Sequence, residues 1–93
     1  MAIIKTDFND LYRFSTSLDK FADEIEYQIK KLANETASIT SYSWRGRQAE
    51  EFSGVINDSK SEMEKQIVQL RDLSEAIKEK AQQLQVAESR RFN

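Results

Sequence analysis

The sequence predicts an all-α fold: an antiparallel two-helix hairpin that pairs with a second hairpin into a four-helix bundle, as a dimer. The 93 residues include no proline and only two glycines, so little interrupts a helix. Apolar residues recur every seven positions in each half of the chain, which is a helical period. At mid-chain, serine, aromatic and glycine residues cluster and the period restarts, which predicts a reversal.

The first helix is predicted over about residues 7–40. Thr6 or Asp7 is the expected N-cap, and Asp10 is placed favourably in the first turn. The apolar positions cover an arc of ~140° on a helical wheel, which is a wide core-facing stripe. They form a row at seven-residue spacing with flanking neighbours: Leu11, Leu18, Ile25, Leu32 and Ile39, beside Phe8, Phe14, Phe21, Ala22, Ile29 and Ala33.

The second helix is predicted over about residues 47–88, and a short C-terminal tail completes a single domain of residues 1–93. Its apolar arc is ~120° wide. Gly54 lies inside this helix and should cost ~1 kcal/mol relative to alanine. Val68 and Val86 lie off the stripe and are interpreted as scattered surface residues. The stripe consists of a second seven-residue row and its neighbours: Ala49, Ile56, Met63, Leu70, Ile77 and Leu84, beside Phe52, Val55, Ile67, Leu73 and Ala81.

The turn is predicted at about residues 41–46, with Gly46 at the reversal and the Trp44 ring closing the end of the bundle. Both apolar arcs are wider than two paired helices can cover, so a second hairpin should cover the remainder. The expected core and dimer interface comprises the large apolar residues of both rows: Phe8, Leu11, Phe14, Leu18, Phe21, Ile25, Ile29, Leu32, Ile39, Phe52, Ile56, Met63, Leu70, Ile77 and Leu84.

The composition argues against most other functions. The chain has no cysteine and no histidine, so we expect no catalytic residues, no metal site and no cofactor. A net charge of -2 without a basic stripe argues against nucleic-acid binding, and no apolar run is long enough for stable membrane insertion. The neighbouring carboxylates Asp23-Glu24 and Glu50-Glu51 point ~100° apart on a helix, so neither pair forms an acid–base site. Glu26 and Lys30 have the favourable order for an ion pair.

The turn carries a recognisable motif. Trp44 and Gly46, followed by Ala49 and Phe52, give W-x-G-x-x-A-x-x-F. With its central placement and the two flanking rows, the chain resembles the WXG family, the small Esx-type proteins of bacterial type VII secretion. The resemblance implies export without a cleaved signal peptide, and the segment Met1-Ala2-Ile3-Ile4-Lys5 is indeed too short for a signal-peptide apolar region. It also implies that Trp44 and Gly46 help form the surface that the secretion ATPase reads.

One departure from the family pattern leaves the partner open. Many members carry a C-terminal Y-x-x-x-D/E signal, whereas the last tyrosine of this sequence is Tyr42; Leu84 and Glu88 have the spacing without the aromatic ring. The expected partner is therefore either a second copy, giving a homodimer, or another Esx-like protein or LXG-type toxin domain that supplies the signal. The alternative function is a cytosolic coiled-coil adaptor that uses W-x-G only as a turn. A membrane-active amphipathic protein is disfavoured, because lysine and glutamate are mixed on the polar faces.

Overall fold

A computed structural model describes residues 7–91, which fold into two long helices. Helix α1 is Phe8–Tyr42 and helix α2 is Arg47–Arg91. The Ser74 hydroxyl donates to the Ser15 carbonyl, and Arg71 pairs with Glu26, so late residues of α2 lie beside early residues of α1. The helices are therefore antiparallel, and the hairpin measures 70 × 27 × 15 Å. The predicted all-α hairpin is confirmed.

Helix α1 begins at a side-chain cap. The Asp7 carboxylate accepts a hydrogen bond from the Asn9 N–H at 3.1 Å, which satisfies one of the amide groups left free at a helix start. Asp10 lies in the first turn, where a negative charge is stabilised by the helix dipole. Asp7 is thus the N-cap; the other candidate, Thr6, lies outside the described residues.

The reversal between the helices is short and centred on a glycine. At the end of α1, the N–H groups of Ser43 and Trp44 both donate to the Ile39 carbonyl, at 2.9 and 2.8 Å. These bonds let α1 continue to Tyr42, beyond the end expected at about residue 40. Gly46 then adopts a φ of 108°, a conformation that side chains with a Cβ rarely take.

Helix α2 extends to Arg91, beyond the end expected at about residue 88. No glycine or proline follows Gly54, so nothing in the sequence ends the helix earlier. At its start, the Glu50 N–H donates to the Gly46 carbonyl at 3.1 Å, which makes the glycine both the turn residue and the first acceptor of α2.

The two helices meet along a narrow line of mostly small, buried residues, which we call the seam. On α1 the spacing is seven residues throughout, and the same spacing recurs in the second half of α2. Because alanine and serine occupy most of these positions, the helix backbones approach closely and the seam has little volume of its own. The seam residues are Ser15, Ala22, Ile29 and Thr36 on α1, and Ala49, Ile67, Ser74 and Ala81 on α2.

The buried hydroxyl groups of the seam are all satisfied. Ser15 donates to the Tyr12 carbonyl and Thr36 to the Leu32 carbonyl, both at 2.8 Å, while Ser74 reaches across to the Ser15 carbonyl at 3.0 Å. A hydroxyl that bonds a backbone carbonyl avoids the cost of burial without a partner. Serine and threonine can therefore occupy the seam as alanine does. Neither described helix contains a stretch apolar enough to cross a membrane.

Candidate functional site: an apolar face and a tryptophan turn

The large apolar side chains lie beside the seam, on one side of it. From Leu18 onward, each residue of the α1 row follows a seam residue by three positions, as Leu18 follows Ser15 and Ile25 follows Ala22. Residues three apart are neighbours on a helix surface, so the row runs parallel to the seam. We call this row the α1 ladder: Leu11, Leu18, Ile25, Leu32 and Ile39. Leu32 and Ile39 are exposed and the others are half-buried.

Helix α2 repeats this arrangement. Leu70 and Ile77 follow Ile67 and Ser74 by three positions. In an antiparallel pair, the same offset on both helices leads to the same side of the seam, so the two rows lie side by side. We call the second row the α2 ladder: Ile56, Met63, Leu70, Ile77 and Leu84. Met63 is exposed and the others are half-buried.

The two ladders form a continuous apolar face. Between them lies a depression of about 260 Å³ that Ile25, Ile29 and Leu32 of α1 and Met63 of α2 line together, with Glu24 and Gln28 at its edge. The face is widened by exposed aromatic and aliphatic side chains next to the ladders: Phe14, Phe21, Phe52 and Leu73. The apolar face, as we use the term, is the two ladders with these four residues.

The opposite side of the seam is polar. Asp19 and Glu26 follow Ser15 and Ala22 by four positions, and on α2 the cations Arg71 and Lys78 follow seam residues by four. A terminal nitrogen of Arg71 lies 3.1 Å from an Asp23 oxygen and 3.0 Å from a Glu26 oxygen, and the Lys78 ammonium lies 2.9 Å from Asp19. We call this group the clasp: Asp19, Asp23 and Glu26 on α1 with Arg71 and Lys78 on α2.

The clasp shifts the titration of its members. The hydrogen bond from Lys78 lowers the pKa of Asp19 below its ordinary value of 3.8, and the same bond raises the pKa of Lys78 above 10.5. The pKa of Glu26 is lowered chiefly by Lys30, with Arg71 adding to the effect. Each of these shifts favours the charged form, so all three groups remain ionised at neutral pH.

The turn forms a second feature at one end of the hairpin. The half-buried Trp44 ring lies against Phe52, with ring centroids 5.4 Å apart and an interplanar angle of 49°. Tilted aromatic pairs at this distance are favourable beyond the area that they bury. The Arg45 guanidinium donates to the Ser41 carbonyl at 3.2 Å, across the end of α1. A Cβ on Gly46 would meet no atom within 4 Å, so the glycine is required by its backbone angle and not by lack of space.

The central W-x-G turn between two helices is matched by a known family. A family model described as WXG100, proteins of 100 residues with WXG, matches residues 3–89. The chain belongs to the WXG100 family. The resemblance to WXG and Esx-type proteins that the turn motif indicated is therefore confirmed.

A solved structure resembles this WXG100 protein over nearly its whole length. The crystal structure of the secreted protein ESXB from Bacillus anthracis str. Sterne superimposes with a TM-score of 0.85. The two sequences are 27% identical, and the match covers 95% of this chain and 99% of ESXB. None of the curated proteins compared with the chain matches it.

The predicted interface residues of the WXG100 hairpin divide by exposure. Ile29 alone of the fifteen is buried in the seam. Half-buried are Phe8, Leu11, Leu18, Ile25, Ile56, Leu70, Ile77 and Leu84. Exposed are Phe14, Phe21, Leu32, Ile39, Phe52 and Met63. Fourteen of the fifteen residues therefore keep part of their surface accessible in the hairpin.

Sequence reasoning missed three members of the seam: Ser15, Thr36 and Ser74. Serine and threonine carry a hydroxyl group, so a pattern of large apolar residues does not identify them as core positions. The seven-residue spacing of Ser15 with Ala22 and Ile29 was the available signal. It also missed the clasp, which becomes visible only once the register between the helices is known. Among the described residues, no group of three or more acidic side chains could hold a metal ion.

Proposed function

We propose that this WXG100 protein is a non-enzymatic substrate of a bacterial type VII secretion system, exported as a folded helical hairpin and acting through contacts with other proteins. The observation that carries the proposal is the match to ESXB, a secreted protein, over 99% of that chain together with the family match over residues 3–89. Such a match preserves both the hairpin and the place of its turn, which are the features that an export apparatus would meet.

The turn is the proposed export surface. Trp44 is fixed against Phe52 at the closed end of the hairpin, and Gly46 sets the backbone of the reversal. A half-buried indole presents an apolar surface with a hydrogen-bond donor at its edge, which suits recognition by another protein. In this proposal the secretion ATPase contacts the turn, and Gly46 contributes by holding Trp44 in place.

The export proposal is tested in the source bacterium. Deleting the secretion ATPase should leave the protein in the cytoplasm, and Trp44→Ala should reduce export while the helix content by circular dichroism is retained. Tyr27→Ala is the matched control, since Tyr27 is an exposed aromatic residue of α1 that lies away from the turn. Unchanged extracellular levels without the ATPase would contradict the proposal and favour the cytosolic adaptor. Unfolding of Trp44→Ala would leave Trp44 a purely structural residue.

The apolar face is the proposed partner-binding surface, and a second copy of the chain is the proposed occupant. Both ladders run along the same side of the hairpin, so two copies can bury them against each other as a four-helix bundle. Phe21 illustrates the driving force, because 56% of this residue is exposed in the hairpin. An apolar strip of this length is unfavourable in water unless another surface covers it.

A pair of aromatic residues on α1 tests the homodimer. Covering the exposed half of the Phe21 ring would remove ~100 Å² of apolar surface from water, worth ~2.5 kcal/mol at ~25 cal/mol/Å². Because a homodimer contains the ring twice, Phe21→Ser should raise the dissociation constant at least ~100-fold. Tyr27→Ser is the matched control: Tyr27 is 62% exposed and lies ~120° around the helix from Phe21, away from the apolar face.

Light scattering distinguishes the partner classes. Homodimerisation predicts twice the monomer mass for the wild type and for Tyr27→Ser, and a lower mass for Phe21→Ser. A protein that is monomeric at all concentrations would contradict the homodimer. Co-purification with a co-expressed Esx-like protein or LXG-type helical domain, abolished by Phe21→Ser, would then identify the apolar face as the binding surface for a companion.

A further inference from the structure

The polar contacts between the helices are concentrated in one half of the hairpin. In the described part of the chain, every ion pair between side chains of the two helices belongs to the clasp, which joins residues 19–26 of α1 to residues 71–78 of α2. The half of the hairpin near the turn is already tethered by the covalent connection. The clasp therefore holds together the half in which the connection constrains the helices least.

The seam alone fixes the register of this half poorly. Its members there are Ser15, Ala22, Ser74 and Ala81, and such small side chains offer no large knobs that would lock one helix against the other. A slide of α2 along α1 would exchange one small residue for another. The Ser74 hydroxyl bond to the Ser15 carbonyl opposes such a slide at one point only.

The clasp joins the helices by ion pairs at two separate levels along the helix axis. Arg71 lies between carboxylates on successive turns of α1, Asp23 and Glu26, while Lys78 pairs with Asp19 about two turns of α2 further on. Two separated anchors resist sliding. Because both lie on the same side of the seam, they also resist rotation of α2 about its own axis. Partly exposed ion pairs add little to the free energy of unfolding, but a small free-energy difference is enough to favour one register over a neighbouring one.

We propose that the clasp sets the register and rotation of α2 against α1, and that Arg71 is a positioning residue that aligns the two ladders into one docking face. The proposal rests on the proposed function of the apolar face as a partner-binding surface. Ladder residues such as Leu18 and Ile77 lie across the seam from the clasp, so a shift of α2 would displace one ladder relative to the other. The apolar face would then no longer be continuous, and a partner would bind it more weakly.

The size of the effect on binding follows from population arithmetic. The apparent dissociation constant rises in inverse proportion to the fraction of hairpins in the competent register. In a homodimer this fraction enters twice, once for each copy. A drop to about one third in Arg71→Gln therefore weakens self-association about tenfold, and weakens binding of a different partner about threefold.

The decisive measurement is the distance between the helices. The chain contains no cysteine, so Thr16→Cys and Gln82→Cys provide two specific positions for spin labels. Both positions are exposed and follow a seam residue by one, on the clasp side and away from the apolar face. The labelled protein, diluted into unlabelled protein, should give one narrow distance distribution. Arg71→Gln should broaden or shift it without loss of helix content, and Arg71→Lys should restore most of it.

A control variant and the binding assay distinguish failure of the register proposal from failure of the proposed docking function. Arg47→Gln makes the same charge change at a residue that is paired only within α2, and it should alter neither the distances nor the dissociation constant. An unchanged distance distribution in Arg71→Gln would overturn the proposal. Failure of the wild type to associate would contradict the proposed docking function alone, because the label distances still decide whether the clasp sets the register.

Discussion

Replacing each of the two glycines by alanine should change the stability of the hairpin in opposite directions. Gly46 has a φ of 108°, whereas Gly54 lies in the interior of α2 with an ordinary helical backbone. A Cβ built on either residue would meet no atom within 4 Å, so steric contact plays no part in the comparison. Replacing each glycine by alanine therefore measures the free-energy effect of the backbone conformation alone. The structure predicts that Gly46→Ala destabilises the hairpin and that Gly54→Ala stabilises it.

The magnitudes follow from the backbone angles. An alanine forced to keep the positive φ of Gly46 should lose about 1–3 kcal/mol of unfolding free energy. Alanine at Gly54 should gain about 0.5–1 kcal/mol, because glycine has more conformational freedom to lose in a helix interior. For a domain of this size 1 kcal/mol corresponds to a shift in Tm of about 4–8 °C. The two variants should thus differ by at least about 6 °C.

Thermal unfolding followed by circular dichroism at 222 nm measures both variants under identical conditions. Two protein concentrations are needed, since the Tm of an associating protein depends on concentration. A loss of stability in Gly54→Ala would refute the reasoning, because it would mean that position 54 packs closely against a surface that the hairpin itself does not provide. Unchanged stability in Gly46→Ala would show that the turn can reverse with a negative φ.

Three further predictions concern the seam, the clasp and the first cap. Ala81→Leu should overpack the seam and cost about 1–3 kcal/mol in urea unfolding, whereas Ala76→Leu at an exposed position should change stability little. The pKa of Asp19 is lowered and that of Lys78 is raised, so their ion pair stabilises the hairpin between these two pKa values and is lost as the pH falls through the first or rises through the second. The stability deficit of Asp19→Asn at pH 7, measured by urea unfolding, should accordingly disappear at a pH below the lowered pKa of Asp19. Asp7→Ala should cost about 1 kcal/mol and increase amide exchange in the first turn of α1, and unchanged exchange there would count against the cap.

The hairpin could be predicted from the sequence because its two signals are local. The seven-residue rows identify two helices and the side of each that is apolar, and the cluster ending at Gly46 identifies the reversal. The Glu26–Lys30 ion pair is equally local, and it forms at 3.2 Å. Each of these features depends on residues within a few helical turns of one another. They can therefore be predicted from the sequence without knowing how the two helices pack.

The identity of the seam could not be obtained in this way. A hydrophobicity pattern identifies the row with the largest apolar residues, and that row, which includes Leu18 and Ile25, lies beside the contact line. Ser15 and Ser74 are in the seam because small size permits close approach and because backbone carbonyls accept their hydroxyl protons. The clasp could not be predicted for a related reason. Arg71 also has a suitably spaced carboxylate on its own helix, Glu75, and only the register between the helices selects Asp23 and Glu26.

The narrow seam and the accessible ladders both result from the alanine and serine residues at the seam positions. Where alanine and serine form the contacts, the helix axes can approach to the short end of the usual ~8–10 Å separation, and among the described residues only Ile29 and Ile67 bury a large apolar side chain in the seam. The other large side chains lie beside the seam, on a side that is set by their offset from it. Three residues after a seam position the side chains are apolar, and four residues after one they are charged at Asp19, Glu26, Arg71 and Lys78. A seam of leucines would separate the helices and draw the ladders inward, giving a hairpin with its own core. With alanine and serine instead, the closed polar side and the open apolar side arise together, and residues such as Phe21 stay exposed in the hairpin, where the proposed second chain would cover them.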